Sequence, residues 1–474
     1  MSTDEYDLIV LGGGPVGENV ADRAVQGGLT AVVVEGELVG GECSYWACMP
    51  SKALLRSSQA LRAARQVAGA AEAITGDLDV AAVLARRNYF TSDWNDDGQV
   101  RWLDSAGIDL VRGHGRLSAE REVTVTAADG SIRVLHARHA VAISTGSDAV
   151  IPNIPGLADA APWTNREATS TQHVPDSLIV IGGGVVGVEL ATAYASFGTT
   201  VTVLARSGLL TTMEPFVGER VAEGLRGLGV DVRTDTGTSA VHRDADGVTV
   251  TTSDGVELRA AEVLVATGRR ARSADIGIET VGLEPGRFIE VDDTMRVPGA
   301  PWLYAVGDVN GRALLTHQGK YQARAAGDVI VARATDAEVD DAPWGRHVAT
   351  ADHAAVPQVV FSEPEVASVG PTADAARAAG HTVQVVDYDL GAVAGSKLRA
   401  DDYSGQARLI IDPTREVILG ATFVGPEVDD LLQAATIAVV GEVPISRLWH
   451  AVPAYPTVNE VWLRLLETYG RQSA

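Results

Sequence analysis

Cysteine is almost absent: the 474 residues hold two, Cys43 and Cys48. That excludes a disulfide framework and any zinc or iron–sulfur site built on four thiolates. Positive charge is scarce as well. Lys and Arg number 38 against 62 Asp and Glu, a formal net charge of −24, which argues against general binding to nucleic acid or to an anionic membrane. No uninterrupted apolar run approaches the roughly 18 residues of a membrane span. The start, Met1-Ser2-Thr3-Asp4-Glu5, is acidic and lacks the basic opening of a secretory signal. These absences lead to the expectation of a soluble cytoplasmic protein with no nucleic-acid or membrane partner. In that compartment two neighbouring cysteines point to catalysis rather than to a structural staple.

What is present is glycine at particular places. The length is enough for about three domains. An apolar run at 6–11 leads into Gly12-x-Gly14-x-x-Gly17, a helix-like stretch at 18–26 and a second apolar run at 31–34. The order strand, glycine turn, helix, strand returns at 178–204, around Gly182-x-Gly184-x-x-Gly187. Such a turn lets a pyrophosphate approach the backbone and meet the N-terminus of a helix. Glu35 ends the second strand, 18 residues after Gly17, where a carboxylate accepts from the ribose hydroxyls. The same count from Gly187 reaches Ala205, followed by Arg206. Without the acid, and with a guanidinium beside it, this second site favours a 2′-phosphate. Two cradles call for two dinucleotides: a flavin held in one, and NADPH, with NADH as the alternative, visiting the other.

The cysteines lie in Gly40-Gly41-Glu42-Cys43-Ser44-Tyr45-Trp46-Ala47-Cys48-Met49-Pro50-Ser51-Lys52, shortly before a helical run expected over 53–61. A helix N-terminus favours thiolate over thiol. This stretch resembles the redox-active segment of the pyridine nucleotide–disulfide oxidoreductases, the family of dihydrolipoamide dehydrogenase, glutathione reductase and mercuric reductase. Further similar segments follow in the family's order: Ser144-Thr145-Gly146-Ser147, Ala266-Thr267-Gly268-Arg269, Tyr304-Ala305-Val306-Gly307-Asp308, and Val356-Pro357 through Phe361 with Pro364-Glu365.

The resemblance implies an α/β fold: two Rossmann-like dinucleotide-binding domains, for FAD and NAD(P), and a C-terminal α+β dimerisation domain. The expected boundaries are 1–150 and 273–345 for the FAD-binding domain, 151–272 for the NAD(P)-binding domain and 346–474 for the interface domain of a homodimer. A linker is expected at 336–344. By resemblance, Cys43 is the interchange thiol, Cys48 faces the flavin, Lys52 pairs with Glu189, and Asp308 binds the ribityl chain. Thr145, Gly146 and Gly268 lie in strand-end turns bordering the nicotinamide domain and are expected to bind cofactor. Electrons then run from NADPH through FAD to a Cys43–Cys48 disulfide and on to a small-molecule acceptor.

The chain also departs from the family. Where the disulfide reductases carry His-Pro-Thr with a glutamate five residues on, this chain has Tyr455-Pro456-Thr457 and Glu460. A phenol titrating near 10 is a poor proton shuttle at neutral pH. It can donate a hydrogen bond, or simply pack at an interface. His450 and His317 are the nearby histidines. The C-terminal cysteine pair of mercuric reductases is missing. Tyr45 and Trp46 either shape a pocket or fill a core. The alternatives are thus an NAD(P)H-dependent quinone or metal-ion reductase, and a flavin-binding redox sensor without turnover. No motif stands out at 71–105, expected as loop.

Overall fold

The computed structural model describes residues 4–470. Met1–Thr3 and the cysteine-free end from Arg471 lie outside them. The chain divides into two compact units. The first comprises the residues up to Pro50 with Arg87–Val150 and Arg269–Asp352; the second comprises Ser51–Arg86, Ile151–Gly268 and the residues from His353 onward.

In the first unit a seven-stranded sheet is built on Glu5–Leu11. It pairs in parallel with Ala31–Glu35 on one side and Ile132–Ile143 on the other. Asp109–Arg112 extends one edge, and Leu303–Ala305 joins Ile132–Ile143 in parallel. The hairpin His114–Ala119 and Glu122–Thr126 completes the sheet antiparallel. Ile9 and Leu11 point into one apolar cluster and Leu8 and Val10 into another. A strand covered on both faces explains the unbroken apolar run in the sequence. Residues 336–344 form no helix or strand and belong to this unit.

The second unit repeats the design on four parallel strands, ordered Asp231–Arg233, Thr200–Leu204, Ser177–Ile181, Glu262–Val265. It also holds a five-stranded antiparallel sheet, ordered Pro357–Val360, Glu365–Val369, Val417–Gly425, Gln406–Asp412, Gln384–Asp389. Val360, Val366 and Val424 of that sheet share a core with Leu178 and Val180 of the parallel one. The α/β class with an α+β C-terminal portion is therefore present.

Three local features stand out, and one of them, at 71–105, changes an expectation. The apolar stretch at 356–369 is two antiparallel strands, because Pro364 brings no N–H to continue a ladder. The segment at 71–105 carries the helices Val80–Phe90 and Asp97–Ser105 rather than loop alone. The alanine-rich stretch at 61–73 is helical only to Arg65, with a short 3₁₀ turn at Ala71–Ala73. Among the described residues, no helix is long and apolar enough to cross a membrane.

Candidate active site

The first glycine turn is shaped by what a side chain would strike. Gly12 takes φ +100°, and a Cβ there would meet the Ser144 carbonyl oxygen at 2.5 Å; a Cβ on Gly17 would collide with the Gly12 carbonyl. Gly14 precedes the helix Pro15–Gln26 with no side-chain cap, so the helix presents its open N–H groups and positive dipole end. The Glu35 carboxylate accepts the Gly13 N–H and the Glu37 N–H, each at 2.7 Å. Gly12, Glu35, Arg112, Thr145, Asp148 and Arg270 are among the residues lining a cavity of about 730 Å³. Sequence reasoning missed Glu18 in the first turn of this helix. Its Oε1 is buried without a hydrogen-bond partner. Burial pushes the carboxyl up to about 7, Glu35 adds to that, and Lys320 opposes it.

Thr145 Oγ1 donates to the Arg272 carbonyl at 2.7 Å, and Gly146 takes φ +78°. Ser147 Oγ donates to Asp308 Oδ2 at 2.5 Å while accepting from Arg269 Nε at 2.6 Å. Burial pushes the Asp308 carboxyl up, against the pull of Ser147 and Arg269.

In the second unit, Gly182, Gly184 and Gly187 repeat the turn ahead of the helix Val185–Ser196. A Cβ on Gly182 would strike the Ala266 carbonyl and one on Gly187 the Gly182 carbonyl. Beyond the strand Thr200–Leu204, Ala205 is buried and Arg206 exposed. Gly268 takes φ +141°.

Cys43 lies in the short helix Gly41–Tyr45, and Cys48 is the first residue of the helix Cys48–Arg65. That helix starts five residues before the expected run, because Pro50 falls in its first turn, where a missing N–H costs nothing. The dipole thus acts on the Cys48 sulfur directly. Both thiols are half-buried, and Cys48 Sγ is 3.3 Å from Thr316 Oγ1. Tyr45 is a core residue: it is 1% exposed and its hydroxyl donates to the Val39 carbonyl at 3.0 Å. Burial pushes its phenol up to about 12, so it stays a donor. Trp46 meets the Tyr45 ring edge-on at 5.7 Å.

The second unit brings Lys52 and Glu189 together at 2.7 Å. Glu189 Oε1 also accepts the Phe361 N–H at 3.0 Å, and the Lys52 ammonium sits 5.0 Å over the Phe361 ring. Tyr455 is 77% exposed. Glu460 opens the helix Glu460–Tyr469 and is buried, its Oε2 without a hydrogen-bond partner. His450 and His317 are both exposed.

Both glycine turns therefore suit the diphosphate of a dinucleotide: each first glycine is held where only glycine fits, and each helix offers an uncapped N-terminus. Residues 6–328 match the model of the pyridine nucleotide-disulphide oxidoreductases, and residues 356–465 match the model of that family's dimerisation domain.

The chain belongs to the pyridine nucleotide-disulphide oxidoreductases.

The family is FAD-dependent and uses pyridine nucleotides, so this is an oxidoreductase of that kind. The dihydrolipoyl dehydrogenase of Zymomonas mobilis is 30% identical over 478 residues, covering 99% of each chain. That of Haloferax volcanii is 32% identical over 477 residues, 97% of this chain and 95% of the other. Two solved structures share the fold of this oxidoreductase. A Cu(II) complex of the HOCl-induced flavoprotein disulfide reductase RclA from Escherichia coli superposes with TM-score 0.84 at 23% identity, covering 98% of this chain and 99% of that one. LpdA from Mycobacterium tuberculosis superposes with TM-score 0.82 at 24% identity, covering 97% and 98%.

Proposed function

We propose that this oxidoreductase takes electrons from NADPH, passes them by way of FAD to a Cys43–Cys48 disulfide, and delivers them to a small disulfide or similar acceptor. The observation that carries the reading is Cys48 at the head of an 18-residue helix, with Cys43 in the helix just before it. Gly12, Gly14, Gly17 and Glu35 hold the adenosine diphosphate half of FAD, with Thr145, Gly146 and Asp308 toward its other half. Gly182, Gly184, Gly187 and Gly268 form the nicotinamide dinucleotide site, and Arg206 takes the 2′-phosphate. Bound FAD supplies a two-electron relay between nicotinamide and sulfur. Two electrons and two protons open the Cys43–Cys48 bond into two thiols. The helix dipole then favours release of the Cys48 proton, leaving that sulfur a thiolate. Cys43 attacks the acceptor disulfide, releasing one thiol, and Cys48 then displaces the second and closes the internal disulfide. Lys52, held by Glu189, keeps a cation beside the relay, and Tyr455 with Glu460 serves as the hydrogen-bonding pair in place of the family's histidine and glutamate.

We assign residues 1–150 and 273–345 to the FAD-binding domain, 151–272 to the NAD(P)-binding domain and 346–474 to the interface of a homodimer in the cytoplasm. The test is an anaerobic NADPH titration followed by visible spectrum. A long-wavelength charge-transfer band that disappears in Cys48→Ser supports the relay; flavin bleaching with no such band overturns it. NADPH should exceed NADH in kcat/KM, and equal values remove the role of Arg206.

The tyrosine at position 455 favours one second reading, transfer to a quinone or metal ion, which needs no acid–base partner for a leaving thiol. Cys43→Ser separates the two: it abolishes turnover of a disulfide acceptor and spares that of a quinone.

A further inference from the structure

We infer that the segment 92–96 positions the thiol pair, with Trp94 and Asp96 gripping the chain on both sides of Cys43 and so setting how readily Cys43 and Cys48 join. The inference rests on Cys43 and Cys48 being the redox pair.

Three consecutive non-glycine residues, Ser92, Asp93 and Trp94, take φ values of 50°, 50° and 56°. Left-handed backbone at such residues persists only where the surroundings over-determine it. Here they do. The Trp94 N–H donates to the Thr91 carbonyl and the Asn95 N–H to the Ser92 carbonyl, both at 2.9 Å. Thr91 Oγ1 donates back to the Asn88 carbonyl at 3.0 Å. The wholly buried Arg87 lies 5.1 Å over the Trp94 ring.

The strained turn delivers two groups to the cysteine loop. Trp94 Nε1 donates to the Tyr45 carbonyl at 3.1 Å. Tyr45 is the last residue of the helix Gly41–Tyr45, where carbonyls lose their intrahelical partners. It stands between the two thiols in the chain, so the indole pins the joint of their two helices. Asp96 Oδ2 accepts the Val39 N–H at 2.7 Å and Arg112 Nη2 at 2.6 Å. Arg112 also donates to the Glu37 carbonyl at 2.8 Å. The Val39 carbonyl takes the Tyr45 hydroxyl. The backbone before Cys43 is thus held at Val39 and the backbone after it at Tyr45.

A fixed loop raises the effective concentration of one sulfur at the other and favours the disulfide. The couple is disulfide plus NADPH plus H⁺ giving dithiol plus NADP⁺. The S–S bond breaks, the hydride's electron pair goes to the sulfurs, Cys43 keeps one proton, and the proton of Cys48 is released to solvent to leave its thiolate. Loosening the loop moves this equilibrium toward dithiol.

The test equilibrates the FAD-loaded protein in graded dithiothreitol redox buffers, then alkylates and weighs it to count reduced Cys43 and Cys48. Trp94→Phe keeps an aromatic ring beneath Arg87 but removes the N–H together with one of the indole's two rings. It should favour the dithiol about tenfold, about 30 mV more positive for a two-electron couple. Asp96→Asn and Tyr45→Phe, which loosen Val39, should shift the same way by less, and they carry the test if Trp94→Phe does not fold. Exposed Trp102→Phe should leave the potential unchanged. Folded, flavin-loaded variants with wild-type potentials overturn the positioning role. A wild-type protein whose thiols never interconvert overturns the redox reading, and the positioning role with it.

Discussion

Lys52 Nζ lies 2.7 Å from Glu189 Oε2, and the same carboxylate holds the Phe361 N–H through its other oxygen. One side chain therefore ties together a helix that begins at Cys48, the helix behind the second glycine turn and the end of the strand Pro357–Val360. The Glu189 side chain is 5% exposed and that of Lys52 36%. The acid is the fixed partner, and the lysine is the one that reaches outward.

That asymmetry predicts unequal costs. Glu189→Gln keeps the shape and the acceptor for Phe361 and should cost about 1.5–3 kcal/mol, as for a hydrogen bond to a charged group. Solvent around Lys52 draws the value toward the lower end. Lys52→Met leaves a buried carboxylate without its counter-charge and should cost more. Urea denaturation of both variants measures this; a milder effect from Lys52→Met than from Glu189→Gln contradicts it.

The same cluster shows which features of the chain were legible beforehand. The glycine turns were, because Gly12 and Gly17 stand where a Cβ would collide with backbone, so no other residue type serves. Glu35 was, because a strand of fixed rise sets its distance from the turn. The tie between Phe361 and Glu189 was not, because Phe361 makes it through a backbone N–H, which nearly every residue has. Trp94 was not, since its reach depends on a left-handed turn that contains no glycine to announce it. Glu18 was hidden for a third reason. A carboxylate in the first turn of a helix is ordinary on a surface, and only burial makes this one unusual. The sequence suggests a later start for the helix over Cys48 than the true one, because Pro50 falls in its first turn, a position that accepts proline.

Glu365 should make stability depend on pH. Its Oε1 accepts from Gln59 at 3.2 Å and its Oε2 is buried without a partner. Burial pushes the carboxyl from 4.5 up to about 8, with Asp429, Glu363 and Glu427 adding and Arg56 opposing. Between pH 4.5 and about 8 the folded chain keeps a proton that the unfolded chain has released. Stability should therefore fall as pH rises through that window. Glu365→Gln removes the titration. Its melting temperature should exceed that of the wild type at pH 8 by more than at pH 5; an equal difference at both values rules the effect out.

Glu18 should couple flavin affinity to pH. Its carboxyl sits in the first turn behind the glycine cradle and is held at about 7, mainly by burial. Above that value it adds a negative charge near the site of a diphosphate. The dissociation constant of FAD from the apoprotein should rise up to about tenfold from pH 6 to pH 8, a tenfold change being one pKa unit of differential interaction. Glu18→Gln should flatten the profile. Flavin fluorescence titrations at the two pH values decide it, and a flat wild-type profile removes the coupling.

Tyr455 offers a gain of function. At 77% exposure, its replacement should change stability by no more than about 0.5 kcal/mol. Glu460, five residues on, is buried with one carboxylate oxygen lacking a partner. An imidazole at position 455 brings a group titrating near 6.5, where a phenol titrates near 10. Positioned acid–base catalysis contributes about 10²–10⁴-fold, and a histidine transplanted into an unadapted loop should recover at least about tenfold of it. Tyr455→His should therefore raise kcat/KM for glutathione disulfide or dihydrolipoamide, with a new inflection near pH 6.5. On the proposed pairing of positions 455 and 460, adding Glu460→Gln should lower that gain, since a carboxylate paired with the ring would orient it and stabilise its cation. A pH-independent rate equal to that of the wild type would show that proton transfer at this position does not limit turnover.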